Sequence, residues 1–197
     1  PAFAGEGIRV IAKPQKKKER KPYLLDQLQR IFACPLYTGR KSLSHYNLPG
    51  TVLRKDYLFW APLIALFAGM RAGEILQLTR SDIRTEAGIA YFDINKWEDV
   101  EDDKSLKSEA SERRVPIHSA LLEIGFLDYV ATQPKGRIFA TAKLGSDGTY
   151  TQYYSEQWRM TAQKSGFYTP LTVFHSFRHN FVDACRNAKV PENLAMQ

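Results

Sequence analysis

A histidine and an arginine, His175 and Arg178, lie three residues apart near the end of the sequence. The first turn of a helix favours anions through its free N–H groups and its dipole. A guanidinium adds a fork that matches two phosphate oxygens, and an imidazole can donate or accept a proton. The pattern therefore indicates a site that holds and activates a phosphate. Four apolar residues follow with the spacing of one helical face: Phe177, Phe181, Cys185 and Ala188. They predict that His175 and Arg178 lie in the first turn of a helix that is anchored in a core.

Both residues also have simpler interpretations. His175 could be a structural hydrogen-bonding residue, and Arg178 could be a solvated cation at a helix start. His175 and His179 could form a metal-binding pair, but the metalloprotease pattern requires a glutamate directly after the first histidine, and Ser176 occupies that position. The phosphate interpretation requires a second cation elsewhere in the chain.

Arg71 is the candidate for that second cation. The strongly apolar segment 56–68 predicts a buried helix, Gly69 breaks it, and a second helix is predicted over 71–79. Arg71 would then emerge from a rigid junction, although a surface arginine at a helix start explains this segment equally well. Glu74 lies one turn further on and could hold Arg71 in place by an ion pair.

The remaining patterns predict a hairpin and further helices. Residues 89–95 and 113–117 predict two strands, the second with Val115 and Ile117 inward, joined by the polar segment 97–112. That segment contains Lys104 and Lys107. A lysine in such a turn is normally solvated. Further helices are predicted over 23–32, 119–132 and 155–165.

The composition indicates a polyanionic partner. The 197 residues carry a net charge of +7 and have a pI of about 9.4, a balance that usually accompanies nucleic-acid binding. The two cysteines, Cys34 and Cys185, make no disulfide framework, so a reducing, cytoplasmic setting is the default expectation. The longest uncharged run, residues 57–70, is too short for a membrane span of about 20 residues. No P-loop, dinucleotide-binding motif or signal peptide is visible.

Residues 1–22 predict a basic linker or tail, because they contain many cations and no apolar periodicity. Such a run is usually solvated, and in a basic protein it can also touch a phosphate backbone. Five of its cations are the candidates for contact with a nucleic-acid backbone: Lys16, Lys17, Lys18, Arg20 and Lys21.

Three motifs, in their order and spacing, resemble the catalytic domain of the tyrosine recombinases, the phage-integrase family. They are Gly69-Met70-Arg71-Ala72-Gly73-Glu74, a lysine hairpin that ends in Arg113-Arg114-Val115-Pro116-Ile117, and His175-Ser176-Phe177-Arg178-His179. The resemblance covers residues 23–197, which we interpret as one catalytic domain. It implies an α+β fold that is mostly helical, with a small antiparallel β-hairpin or sheet.

The resemblance also implies a reaction and a role for each motif residue. The family cleaves and rejoins DNA without a metal or other cofactor, through a covalent 3′-phosphotyrosine intermediate. Carried over by position, Arg71 and Arg178 would bind the non-bridging oxygens of the scissile phosphate, and Glu74 would support Arg71. Lys107 would be the general acid for the leaving 5′ oxygen. His175 would transfer a proton or hold the phosphate.

The partner implied is double-stranded DNA, on which a bacterial or phage-encoded parent would self-associate into a tetrameric synapse.

The family's nucleophilic tyrosine follows the second arginine motif, and none of the ten tyrosines here follows Arg178. The chain also starts at Pro1 and has no counterpart of the family's amino-terminal DNA-clamping domain. We therefore expect a fragment that binds DNA without covalent activity of its own. Two other functions stay open: a DNA-binding protein without catalysis, and a topoisomerase-like phosphodiester enzyme.

Overall fold

The computed structural model describes residues 19–42, 44–45, 47–95 and 112–191. The helices are α1 Leu25–Ala33, α2 Pro35–Thr38, α3 Tyr57–Ala68, α4 Ala72–Leu76, α5 Ser119–Glu123, α6 Phe126–Thr132, α7 Tyr150–Lys164 and α8 Ser176–Asn187, with a short 3₁₀ helix at Arg80–Asp82. The strands are β1 Ile83–Glu86, β2 Ile89–Ile94 and β3 Arg113–Pro116. The expected α+β class, mostly helical with a small antiparallel sheet, is confirmed. No helix of the described segments is both long and apolar enough to cross a membrane.

The helix α3 lies at the centre of the core, because its sequence is apolar on every side. Ten of its twelve residues are buried, and Trp60 and Ile64 have no exposed surface. Asp56 caps its start: the carboxylate accepts a hydrogen bond from the Leu58 backbone N–H at 3.0 Å. Gly69 ends it in a left-handed conformation with a φ of 63°. The predicted helix and the predicted glycine break are thus both confirmed.

The sheet is antiparallel, in the order β1-β2-β3. Phe92 in the central strand lies opposite Ile83 on one side and Val115 on the other. The two predicted strands are confirmed. The edge strand β1 was not predicted, because its residues are mostly polar and exposed and carry no alternating pattern. Ala87 and Gly88, both with positive φ, make the tight turn that joins β1 to β2.

Besides small shifts at the ends of α1, three predicted helices differ from their bounds. The helix predicted over 71–79 is shorter, since α4 spans Ala72–Leu76. The segment 119–132 forms two helices rather than one, because Gly125 adopts a left-handed φ of 89° between α5 and α6. The helix predicted over 155–165 begins five residues earlier, at Tyr150, so that Tyr153 and Tyr154 lie inside α7. Its first turn carries tyrosines and threonines, and tertiary packing rather than helix propensity decides its start. Gly166 follows this helix with a φ of 75°.

The helix α8 packs against α3 and against the start of the domain. Phe177 is fully buried, with its ring 4.7 Å from that of Tyr23 and 5.4 Å from that of Trp158. Asn180 accepts a hydrogen bond from the Tyr23 backbone N–H at 2.9 Å and donates one to the Tyr23 carbonyl at 2.7 Å. The predicted apolar row anchors α8 through its first members, while Ala188 at its end is exposed.

Candidate active site

Arg71 and Glu74 form a compact unit at the start of α4. Arg71 is the N-cap residue, in an extended conformation, and Glu74 occupies the third helical position. The Glu74 carboxylate accepts hydrogen bonds from the Arg71 backbone N–H at 2.9 Å and from Arg71 Nη1 at 2.7 Å. The ion pair expected from their spacing is present. It fixes one side of the guanidinium, while 40% of the Arg71 side chain stays exposed.

A third residue, Arg113, binds the same carboxylate. Arg113 Nη1 and Nη2 donate to Glu74 Oε1 and Oε2 at 3.3 and 2.9 Å, and both side chains are only 6% exposed. The sequence interpretation gave Arg113 no role. A signal was available, because alternate residues of a strand share a face. Val115 and Ile117 were predicted to point inward, so Arg113 had to point inward too and therefore required a carboxylate.

The electrostatics of Glu74 follow from this arrangement. Burial raises the pKa of the carboxyl group, but hydrogen bonds and charge from Arg113 and Arg71 outweigh burial, so its pKa lies below the ordinary value of 4.5. Glu74 is therefore ionised at neutral pH. Arg71, Glu74 and Arg113 together form an arginine–glutamate–arginine trio with one net positive charge.

Arg178 reaches the same junction from α8. Its Nη1 donates a hydrogen bond to the carbonyl oxygen of Gly69, two residues before Arg71. Partial burial lowers the pKa of Arg178, and the positive charges of Arg71 and Arg113 lower it further, while Glu74 acts in the opposite direction. A guanidinium nevertheless stays protonated in proteins. The structure thus brings together both arginines that were predicted to bind one phosphate.

Gly69 makes this approach possible. A Cβ atom at this position would collide with the ring of Phe181, which lies one helical turn beyond Arg178. The left-handed φ of Gly69 is also one that residues with side chains rarely adopt. The close packing of Phe181 on this glycine holds α8 where Arg178 can reach the end of α3.

His175 lies at the start of the same helix as Arg178. It is the N-cap residue of α8, its side chain is exposed, and its ring meets that of His179 edge-on at 5.0 Å between centroids. Within the described segments, no three histidine, cysteine or acidic side chains cluster in a way that could hold a metal ion.

The other predicted site residues fall into two groups. Lys107 and three basic residues of the tail, Lys16, Lys17 and Lys18, lie outside the described residues. Arg20 and Lys21 are described and exposed. Arg20 Nη1 donates to the Pro170 carbonyl at 2.9 Å, and the Lys21 backbone N–H donates to the Leu171 carbonyl at 3.1 Å. Both therefore lie against the segment that leads into α8.

Comparison with known proteins identifies the family and the fold of this chain. Residues 53–197 match the model of the phage integrase family. The fold is similar to that of the XerH site-specific recombinase bound to difH substrate in a pre-cleavage complex, with a TM-score of 0.57 and 18% identity over 90% of this chain and 46% of that one. It is also similar to the XerA recombinase, with a TM-score of 0.53 and 13% identity over 91% of this chain and 55% of that one.

This chain therefore spans about half the length of the solved recombinases that it matches. No curated protein matches its sequence. The family match nevertheless covers most of the chain and includes all three arginines of the site. The resemblance expected from the arginine motifs is confirmed: the chain belongs to the phage integrase family of tyrosine recombinases, and its fold is that of their catalytic domains.

Proposed function

We propose that this chain is the phosphate-binding part of a site-specific DNA recombinase, which cleaves and rejoins DNA through a 3′-phosphotyrosine intermediate. The observation that carries the proposal is the convergence of three guanidinium groups at the junction of α3 and α4: Arg71 and Arg113 pair with Glu74, and Arg178 donates to the Gly69 carbonyl. Three guanidinium groups and one carboxylate leave a net charge of +2. A double-stranded DNA phosphate is the matching ligand, and the likeness to a recombinase bound to its DNA substrate supports this choice.

In this mechanism Arg71 and Arg178 bind the non-bridging oxygens of the scissile phosphate. Negative charge grows on these oxygens in the transition state, where cations already held in place stabilise it most. His175, exposed at the start of the Arg178 helix, holds the phosphate or transfers a proton. Lys107 is the general acid that protonates the leaving 5′ oxygen. The covalent intermediate conserves the bond energy for rejoining, so the reaction needs no nucleotide cofactor.

The nucleophile of this reaction is a tyrosine that follows this chain in the parent protein. Five of the nine described tyrosines are poor candidates because burial raises the pKa of their phenol groups: to about 12 for Tyr23 and Tyr129, above 10 for Tyr57, and well above 10 for Tyr37 and Tyr154. Nucleophilic attack requires the phenol to lose its proton, which a raised pKa opposes. The chain alone then binds DNA without forming a covalent adduct.

The proposal extends to the parent's organisation. Residues 1–22 are the linker to an amino-terminal DNA-clamping domain, with Lys16, Lys17 and Lys18 on the phosphate backbone, and residues 23–197 belong to the catalytic domain. The parent is encoded by a bacterium or phage and acts in the cytoplasm. It assembles on DNA into a tetrameric synapse.

A nicked suicide substrate that carries the cognate site tests the proposal. Because the nick releases a short fragment after cleavage, the covalent complex is trapped as a protein–DNA band that resists denaturant. We expect this band with the parent protein and not with this chain alone. A parent that binds without forming the band would favour a non-catalytic DNA-binding protein. A band on supercoiled DNA of any sequence, together with relaxation, would favour the topoisomerase-like alternative.

A modified substrate tests the role of Lys107. With sulfur in place of the bridging 5′ oxygen, the leaving group departs as a thiolate and needs no proton. The parent variant Lys107→Ala should cleave this substrate at close to the wild-type rate and the ordinary substrate far more slowly. Rescue of Lys104→Ala instead would transfer the general-acid role to Lys104.

A further inference from the structure

Arg113 is the most enclosed cation of the site. Its side chain is 6% exposed, against 40% for Arg71, and it donates to both oxygens of Glu74. It is the first residue of β3, so it reaches the site from the hairpin rather than from α4. A guanidinium so enclosed, with its fork occupied by a carboxylate, is poorly placed to bind a DNA phosphate itself.

Arg113 offsets the negative charge of Glu74. Glu74 holds Arg71, but a carboxylate in contact with a guanidinium also cancels its charge. Without Arg113, the Arg71–Glu74 pair would have no net charge. Among the described residues of the site, Arg178 would then supply the whole net positive charge. Buried charges interact strongly because water screens them little. The second guanidinium on Glu74 therefore restores a net positive charge beside the phosphate position.

The contacts also fix the direction in which Glu74 points. Arg113 binds both carboxylate oxygens from the sheet side, while Arg71 binds them from α4 through its backbone N–H and its Nη1. A carboxylate held from two sides cannot turn towards solvent or towards an incoming phosphate. Arg71 is thereby kept in the orientation that leaves its remaining N–H groups available.

We propose that Arg113 is a positioning residue for strand cleavage: it fixes the Glu74 carboxylate and offsets its negative charge, so that Arg71 acts on the phosphate with its positive charge restored. That the reaction is strand cleavage rests on the proposed function. That Arg113 holds Glu74 rests on the observed contacts. Arg113 thereby gives the strand β3 a role in orienting Arg71.

A double-mutant cycle in the parent protein tests this role. Arg113→Met should slow single-turnover cleavage at saturating DNA by about tenfold to a hundredfold, less than the 10²–10³ typical of a group that touches the transition state. The double variant Arg113→Met/Glu74→Gln should cleave faster than Arg113→Met alone, because the uncompensated carboxylate is gone. A purely structural Arg113 would give a double variant as slow as the single variant or slower, and that result would overturn the proposal.

Arg114→Met is the matched control. The neighbouring Arg114 points to the other face of β3 and pairs with Glu86 at 2.6 Å, where both side chains are more than 60% exposed. The substitution removes the same charge at the next position, and cleavage should stay at the wild-type rate. A loss equal to that of Arg113→Met would show a general charge effect and would refute the specific role.

Two further measurements keep the proposal testable if a variant folds poorly or the parent does not cleave. Arg113→Lys retains the charge without the fork, so it should cleave faster than Arg113→Met; equal rates would contradict the charge argument. Carbon-13 NMR titration of Glu74 in this chain needs no activity. The pKa of Glu74 should be higher in Arg113→Lys than in the wild type, and an unchanged value would overturn the placement. Absence of cleavage by the wild-type parent would refute the proposed function alone.

Discussion

Arg71 and Arg178 meet at the end of α3 but are held there by different kinds of contact. Arg71 is held by charge within a single helical turn, because Glu74 accepts from both its backbone and its side chain. Arg178 is held by a neutral group 109 positions away, the carbonyl oxygen of Gly69. Arg71 is therefore held locally and is partly neutralised by a carboxylate. Arg178 instead depends on tertiary packing and donates to a backbone carbonyl.

The difference separates two requirements of a phosphate site. A carboxylate orients a guanidinium firmly but weakens the electrostatic attraction of that guanidinium for a phosphate. A backbone carbonyl orients it less firmly but does not cancel its charge. The site uses one of each, and Arg113 offsets the carboxylate. Arg178 should therefore be more sensitive to changes in packing, and Arg71 more sensitive to changes in charge and pH.

The largest expected effect comes from removing each arginine in the parent protein. Arg71→Ala and Arg178→Ala should each slow cleavage by about 10²–10³, the usual loss for one transition-state donor. Arg178→Ala should be the slower of the two, because its charge is not shared with a carboxylate. Single-turnover cleavage of the nicked substrate measures both rates.

Lysine variants sharpen this first comparison. Arg71→Lys and Arg178→Lys keep the charge but lose the two-pronged contact, so each should recover only a small part of the lost rate. Circular dichroism should show the same helix content in all four variants. Wild-type cleavage in Arg71→Ala or Arg178→Ala would remove that residue from the proposed mechanism.

The second effect concerns the charge that holds Arg71. Glu74→Gln should destabilise the chain by about 3 kcal/mol at neutral pH, because it leaves Arg113 enclosed beside an uncharged group. The folded-state pKa of Glu74 is depressed, so its ionised form stabilises the fold above the unfolded pKa of about 4.5. This contribution is lost as the pH falls from there through the lower folded-state pKa.

Urea unfolding of the wild type and of Glu74→Gln at several pH values measures this effect. The difference in unfolding free energy should be constant between pH 6 and 8, roughly one unit or more above the carboxyl titration range. It should shrink at pH values below about 4.5. A difference that does not change on acidification would mean that the ion pair with Arg71 and Arg113 contributes nothing to stability.

The same contrast explains how far the sequence could predict the site. The Arg71–Glu74 pair follows from helical spacing, and the buried helix α3 with its glycine break follows from composition. Both could therefore be predicted from the local sequence. The contact between Gly69 and Arg178 joins residues that are distant in sequence, and no local pattern encodes it. Arg113 is an intermediate case, since strand alternation places it inward without identifying Glu74 as its partner.

The third effect tests the packing that holds Arg178. Gly69→Ala should destabilise the chain by about 2 kcal/mol, from backbone strain at its positive φ and from the collision with Phe181. Cleavage by the parent should fall as well, because the Phe181 ring must move away from the added Cβ and we expect it to displace α8 and Arg178. Gly88→Ala is the matched control: its φ of 80° gives similar strain, but no atom lies within 4 Å of the added Cβ.

Thermal unfolding and cleavage rates distinguish the two glycine variants. The effect of Gly88→Ala should be confined to a smaller loss of stability, without a loss of cleavage. The double variant Gly69→Ala/Phe181→Ala, which removes the colliding ring, should cleave faster than Gly69→Ala if the collision displaces Arg178. Equal behaviour of Gly69→Ala and Gly88→Ala would show that Phe181 does not set the position of α8.

The smallest effect concerns a second support of the Arg178 helix, from the start of the domain. Asn180 bonds both the N–H and the carbonyl of Tyr23, two residues after Lys21. Asn180→Ala removes both bonds, and the expected loss is about 1 kcal/mol, because water can replace part of what is lost in this half-buried position. The exposed Asn187 lies on the same helix, and Asn187→Ala should leave stability unchanged.

Hydrogen exchange gives the most direct measurement: the Tyr23 amide should exchange faster in Asn180→Ala, while amides of α4 beside Arg71 keep their wild-type rates. Faster exchange at both places would mean that the two arginines are not held independently, and the contrast between their supports would fail.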